Sequence, residues 1–207
     1  FVNCLCAMSE EEVSSPVPRI FSLQKLVEVA YYNMSRIRFV WTRIWTVVAQ
    51  HFNKIGCNRN LSIAMYAVDS LRQMALKFLE KDELANYNFQ KDFLKPFEHI
   101  VTHNTNHRVR ELVVRCLCLM IKSRAHNIRS GWKSIFIVFT FAAADENDGI
   151  VKLAFEGVDA IMHDFFHLIK DLFFVEAVNC LAAYGVSNVS RDVSMKATMW
   201  LAFCAHK

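Results

Sequence analysis

The residues of this sequence that could do chemistry are its histidines, cysteines and acids, and their spacing decides which chemistry is open to them. His163-Asp164-Phe165-Phe166-His167 sets two imidazoles four residues apart around a carboxylate. On a helix, that spacing can present two zinc ligands and a general base. A catalytic zinc needs a third protein ligand, however, and no downstream His or Glu is suitably isolated. Asp164 is also one methylene shorter than the usual base. The pair is better explained as the polar face of an apolar helix. His99, His103 and His107 repeat the four-residue spacing, but Asn104-Thr105-Asn106 interrupts the helix, so three rings on one face are not expected.

The seven cysteines lie inside apolar helical patterns. Cys4-x-Cys6 and Cys116-x-Cys118 point to different helical faces and lack the two-residue spacing of a zinc knuckle or redox pair. They are expected to be buried free thiols of a reducing compartment, cytosol or nucleus. Lys81-Asp82-Glu83-Leu84 spells a retention signal, but internally, where such a signal is not read. The sequons at Asn33, Asn60 and Asn188 are chance matches in such a compartment. There is no glycine-rich phosphate loop, no G-x-S-x-G elbow and no pair of acids on one loop. The expectation is a chain with no catalytic site, no cofactor and no metal.

The elements that must position these residues are helices. Apolar residues make up 54% of the 207 and charged residues 21%, which excludes disorder for most of the chain. Five Gly and three Pro are too few for an all-β chain of many tight turns. The longest uncharged apolar run, Ser134 to Ala144, is too short to span a bilayer. Ser22 is a candidate cap for a helix whose apolar face is Leu23, Leu26, Val27, Ala30, Tyr31 and Met34. Trp41, Ile44, Trp45, Val48, Phe52 and Ile55 form the next, with Gly56 as a C-terminal stop. Asn60 starts a third, and further helical patterns run over 89–103, 106–122, 130–144, 148–169, 172–185 and from Ser194 onward.

These helices repeat. Ala67 to Leu71 aligns with Val113 to Leu117, with Ala154 to Val158 and more weakly with Ala197 to Leu201, at offsets of 46, 41 and 43 residues by subtraction of Leu71, Leu117, Val158 and Leu201. A two-helix unit of this period is the signature of HEAT or armadillo solenoids, because one helix pair cannot bury both its apolar faces alone. The expected fold is therefore all-α, a HEAT/armadillo-like α-solenoid forming a single repeat domain over 1–207, with about five helix pairs. Its termini are expected to be cut within the solenoid. Ser70, Cys116 and Gly157 share one register position, where small residues let helices approach closely. Trp200 breaks that pattern in the last unit.

Net charge is +4, weaker than a nucleic-acid binder requires, so nucleic acid is not expected as a partner. The cations concentrate between Arg108 and Lys133, where Arg108, Arg110, Arg115, Lys122, Arg124, Arg129 and Lys133 face only Glu111. Arg108, Arg115 and Lys122, seven apart, form a stripe opposite the core side of their helix. Such a stripe would suit an acidic protein surface or anionic headgroups. Asp69, Arg115 and Glu156 at equivalent repeat positions would alternatively form a charge ladder between stacked helices. At 127–133, Ser130 is expected to cap a helix and Trp132 to enter the core, which leaves Arg129 and Lys133 for a partner. The candidate partner-binding set is Arg108, Arg115, Lys122, Arg129 and Lys133.

The run Phe21 to Arg38 (with Ala30-Tyr31-Tyr32-Asn33-Met34), Trp41 to Trp45, His51 to Cys57, Ala67 to Met74, Lys77 to Lys81, Phe89 to His99 and Asn127 to Lys133 resembles the large brefeldin-A-sensitive trans-Golgi Arf guanine-nucleotide-exchange factors, in the first homology region downstream of the catalytic exchange domain. The resemblance spans about residues 19–160 and is loose from His163 on. It implies a cytoplasmic protein, peripheral on the trans-Golgi membrane. It also implies a non-catalytic regulatory region, because the exchange domain lies outside this chain. The implied partners are GTP-loaded Arf, an anionic membrane surface, other domains of the same exchange factor and a second copy in a homodimer. The alternative function is a structural spacer or dimerisation module with no Arf contact.

Overall fold

The computed structural model describes residues 1–34, 36, 38–80, 83 and 88–206, with the backbone alone for Arg38 and Phe39. Its helices are α1 (Val2–Ser14), α2 (Phe21–Asn33), α3 (Arg38–Gly56), α4 (Leu61–Phe78), α5 (Phe89–His103), α6 (His107–Arg124), α7 (Gly131–Ala142), α8 (Asp148–Asp164), the four-residue α9 (Phe166–Ile169), α10 (Phe174–Gly185) and α11 (Arg191–Ala205). Among the described residues the chain is all-α, with no strand.

The helices form two rows. In one, α1, α3, α5, α7 and α10 each pack on the next; in the other, α2, α4, α6 and α8 do the same, and α11 lies mainly on α10 and only brushes α8. The apolar faces meet between the rows. Trp45 stacks on Phe93 with centroids 4.1 Å apart, and Phe93 stacks on Phe78 at 4.6 Å. Pro96 sits inside α5 and has no N–H for the carbonyl of Asp92. The Trp45 indole N–H donates to that carbonyl at 3.2 Å, so the proline joins α3 to α5 rather than breaking α5.

The turns between paired helices share one device. Asn58 Oδ1 accepts from Asn60 N at 2.8 Å, Asn104 Oδ1 from Asn106 N at 2.8 Å, and Asp145 Oδ1 from Asn147 N at 2.9 Å. Asn60, Asn106 and Asn147 then cap α4, α6 and α8 through Ser62 N, Arg108 N and Gly149 N. Successive turns are bonded to one another. Asn104 Nδ2 donates to the Gly56 carbonyl at 2.8 Å. Arg110 donates to the carbonyls of Asn104 and Thr105 in its own turn, and forks onto both oxygens of Asp145 in the next, at 2.6 and 3.0 Å. Burial works to raise the Asp145 pKa, but the Arg110 bonds and charge and the Asn147 N–H outweigh it and hold the carboxyl below its ordinary range.

Several local expectations are corrected. α1 was not anticipated; it buries only Cys6, Ser9 and Val13, too few for a legible apolar stripe. Ser22 is not a cap but is buried within α2, where its N and Oγ both donate to Glu12. Gly56 is the last residue of α3, as expected, and a Cβ there would collide with Ile100 Cδ1. The helix expected over 148–169 breaks at Phe165, whose φ of −124° and ψ of 12° are not helical. Ser130 precedes α7 but makes no capping bond. The retention-like tetrapeptide lies outside the described residues, Glu83 excepted. Gly157 does sit at a close approach, since a Cβ would lie 2.8 Å from Phe139 Cζ and 3.0 Å from Cys118 Sγ.

Two predictions follow from this packing. Gly157→Val should destabilise the chain by about 1–3 kcal/mol through overpacking, whereas Gly185→Ala, whose Cβ meets nothing closer than 3.6 Å, should leave the melt nearly unchanged; thermal unfolding followed by circular dichroism measures both. The second concerns His51, buried between α1 and α3 with Nε2 3.0 Å from Ser9 Oγ and Nδ1 3.7 Å from Glu10. Burial, aided by nearby Lys54, lowers its pKa against the opposing pull of Glu10. The folded state therefore takes up this proton less readily than the unfolded chain, so the stability tied to neutral His51 is present above about pH 6.5 and is lost as pH falls below it. Amide exchange of α1 should accelerate across that window, and His51→Gln should flatten the dependence.

Candidate partner-binding surface

The structure separates the five cations selected from the sequence. Arg108, Arg115 and Lys122 lie exposed along one face of α6. Arg108 and Lys122 are fourteen residues apart, about 21 Å along a helix. Neither side chain makes an ion pair, while Arg115 forks onto Glu111 of its own helix at 2.9 and 2.6 Å. Arg129 is exposed in the connection between α6 and α7, with no ion pair on its side chain. Lys133 is on α7, in the other row, 3.7 Å from Glu176 of α10. The arrangement is thus three cations on one helix, one at its edge and one on the opposite row.

The local excess of charge is smaller than the sequence window suggests. Arg110 is held by Asp145, Arg115 by Glu111, Arg124 by Glu80 and Lys133 by Glu176. Among the described residues Arg108, Lys122 and Arg129 remain without an ion pair. The expected ladder of Asp69, Arg115 and Glu156 does not form: Asp69 pairs instead with Arg72 at 2.7 Å on its own helix, and Glu156 makes no ion pair.

The 127–133 segment joins elements. One carboxylate, Glu83, accepts from Gln90 N at 2.7 Å, Ser130 N at 2.8 Å and Ser130 Oγ at 2.6 Å. It thereby lies at the N-terminal ends of both α5 and α7, where negative charge is favoured. Gln90 is buried; its Nε2 donates to the Asn127 carbonyl and its Oε1 accepts from Arg129 N. Asn127 Nδ2 reaches the Leu79 carbonyl at the end of α4. Gly131 sits close to the next element, since a Cβ would lie 3.1 Å from Leu94 Cδ1. Trp132 is fully buried, as expected. The segment is a latch between consecutive helix pairs, and of its side chains Arg129 is the one left to solvent without a bond. Sequence reasoning missed Glu83, Gln90 and Asn127; their partners lie about 40 residues away, so no local window joins them.

The zinc-like motif does not assemble. α8 ends at Asp164 and α9 begins at Phe166, so His163 and His167 do not share one continuous helix. His163 Nδ1 bonds Asp164 at 2.6 Å, whereas His167 lies by His126, with ring centroids 6.0 Å apart. Among the described residues no group of three or more His, Cys, Asp or Glu is placed to hold a metal ion. His99 and His103 stack at 4.1 Å, and α5 ends before His107. All seven cysteines are free. Burial pushes the thiol pKa up to about 12 at Cys116 and about 11 at Cys118, so neither is a thiolate at neutral pH. No described helix is long and apolar enough to cross a membrane.

Among the described residues the chain is thus an all-α protein whose helices stack in two rows. Residues 77–160 match the family described as Sec7-like HDS: Mon2/Sec7/BIG1-like, HDS. The chain is 49% identical over 211 residues to brefeldin A-inhibited guanine nucleotide-exchange protein 1 of Arabidopsis thaliana, covering all of this chain and 12% of the relative. It is 51% identical over 210 residues to the Homo sapiens protein of the same name, covering 99% of this chain and 11% of the relative. Over nearly its whole length the chain is thus similar to one short stretch of these exchange proteins. It spans about a tenth of the length of the curated relatives it matches.

If Glu83 is the latch, Glu83→Ala should destabilise the chain by about 2–4 kcal/mol, since it orphans Ser130 and two backbone N–H groups. Ser130→Ala should cost about 1–2 kcal/mol. Denaturant unfolding monitored by fluorescence of Trp132 measures both, and equal midpoints for the Glu83 variant and the parent chain would remove the latch role.

Proposed function

We propose that this chain is a non-catalytic regulatory region of a large Arf guanine-nucleotide-exchange factor, built as a HEAT/armadillo-like solenoid. Its role is to govern recruitment to the trans-Golgi membrane and exchange activity by engaging GTP-loaded Arf, the membrane surface and other domains of the same factor. The similarity to brefeldin A-inhibited guanine nucleotide-exchange proteins supports the exchange-factor setting, and the relayed turns with their 41- and 46-residue spacing support the solenoid reading. The observation that carries the binding role is the exposed α6 face, where Arg108 and Lys122 stand unpaired beside Arg115. Charge of this kind speeds encounter and selects an acidic partner face.

A second reading, a spacer or dimerisation module without Arf contact, draws on a different observation. Leu172, Val175, Val186 and Met199 are 81%, 66%, 80% and 65% exposed around α10 and α11, apolar surface that another domain or a second copy would cover.

Titration of the chain with soluble Arf loaded with GTP or GDP separates the two. The regulatory reading expects binding to the GTP form alone, and a loss of about tenfold or more for Arg108→Glu with Lys122→Glu, with the melt moved by no more than a few degrees. Absence of binding, together with a dimer in sedimentation, would replace it with the spacer reading.

A further inference from the structure

The last turn of α7 stands between two hollows. Toward the end of α5, Thr105, Phe141, Ala144 and Glu146 line a hollow of about 330 Å³. Toward the end of α10 and the turn after it, Ala144, Ala183, Val186 and Asn188 line one of about 360 Å³. Ala144 and Asp145 line both, so the hollows adjoin. Helices α5, α7 and α10 follow one another in one row. Packed helix axes lie about 8–10 Å apart, and that distance sets the spacing of the two hollows.

Their lining mixes three kinds of group. Phe141 at 42% exposure and Val186 at 80% give apolar walls, one in each hollow. Of the charged side chains in the lining, Arg110 and Asp145 hold each other, which leaves Glu146. Among the described residues Glu146 makes no ion pair, and neither does exposed Asp148 two positions on. Thr105 and Asn188 are exposed, one in each hollow, and their side chains make no hydrogen bond.

We propose that the paired hollows receive a proline-rich segment of a partner protein, held as a polyproline II helix with a basic residue beside Glu146. A polyproline II helix has three residues per turn and a 3.1 Å rise, so side chains three apart share a face about 9 Å apart. That repeat matches the spacing of grooves between neighbouring helices. A β-strand repeats on one face at about 7 Å and falls short. A polyproline II helix also makes no internal hydrogen bonds, so its carbonyls are open to the Thr105 hydroxyl and the Asn188 amide. An α-helix would keep its carbonyls to itself and leave those donors idle. Such segments dock against aromatic walls of the kind Phe141 supplies, and being preformed they lose little entropy. The unpaired carboxylates select a cation on the segment. The surface lies on the row opposite α6, and the inference needs neither Arf nor a membrane.

The test is fluorescence anisotropy of the whole chain with a labelled peptide of repeated Pro-Pro-Leu ending in Arg. Saturable binding is expected. The same peptide with Gly in place of Pro keeps the leucines but loses the preset helix, and should bind at least about tenfold more weakly. Ala144→Phe fills the space between the hollows from an exposed position, and should weaken binding at least about tenfold with the melt unchanged. Glu146→Arg should weaken the Arg-ended peptide by about fivefold and strengthen a Glu-ended one by a similar factor. No saturable binding, equal binding of the Pro and Gly peptides, or binding unchanged by either variant would each overturn the proposal. Soluble Arf reports on the regulatory reading separately, so failure of one does not mimic failure of the other.

Discussion

The Arg110–Asp145 fork is the contact on which the regular stacking of this chain turns. It joins the turn of one helix pair to the turn of the next, while Arg110 also fastens the carbonyls of its own turn. Asn104 makes the matching link backward to Gly56. A turn between helices leaves backbone groups without intrahelical partners, and here those groups are satisfied by side chains of adjacent pairs. The relative position of successive pairs is thereby fixed by directional bonds at one edge, with the latch of Glu83, Gln90, Ser130 and Asn127 doing the same at the other. Between these two rows of bonds the apolar faces need only fill space, as the Trp45, Phe93 and Phe78 stack does.

The sequence was most legible where the signal is periodic. The apolar stripes of α4, α5, α6 and α8 recur at helical spacing, and the caps Asn60 and Asn106 stand where a capping residue is expected. The repeat was visible in the same way, and a second copy of it went unread: Asn58-x-Asn60, Asn104-x-Asn106 and Asp145-x-Asn147 recur at offsets of 46 and 41 residues, from 104 − 58 and 145 − 104. Legibility failed where a residue's role depends on something one repeat away. Ser130 has the chemistry of a cap but meets a carboxylate 47 residues distant. The basic segment after Arg108 has one acid in its own window, yet Arg110, Arg124 and Lys133 find partners 35, 44 and 43 positions away. In a stack, the nearest neighbours in space are about one period apart in sequence, so charge balance has to be judged over that distance.

The same consideration sharpens what the surface offers. Among the described residues, once the pairs formed between repeats are removed, Arg108 and Lys122 stay unpaired along α6 and Arg129 beside it. Among the described residues the histidines of the zinc-like motif are separated by the split of the helix at Phe165, and no group of three or more His, Cys, Asp or Glu is placed to hold a metal ion.

Trp200 stands at the register position that Ser70, Cys116 and Gly157 keep small, and its indole N–H is tied to Asp159 at 2.7 Å. Lys196 lies 3.8 Å from the same carboxylate, so Asp159 tethers α11 to α8 while most of α11 rests on α10, which itself packs on α7. Where Gly157 lets helices approach closely, the last helix is joined across a bulky ring by a polar strut on a single carboxylate.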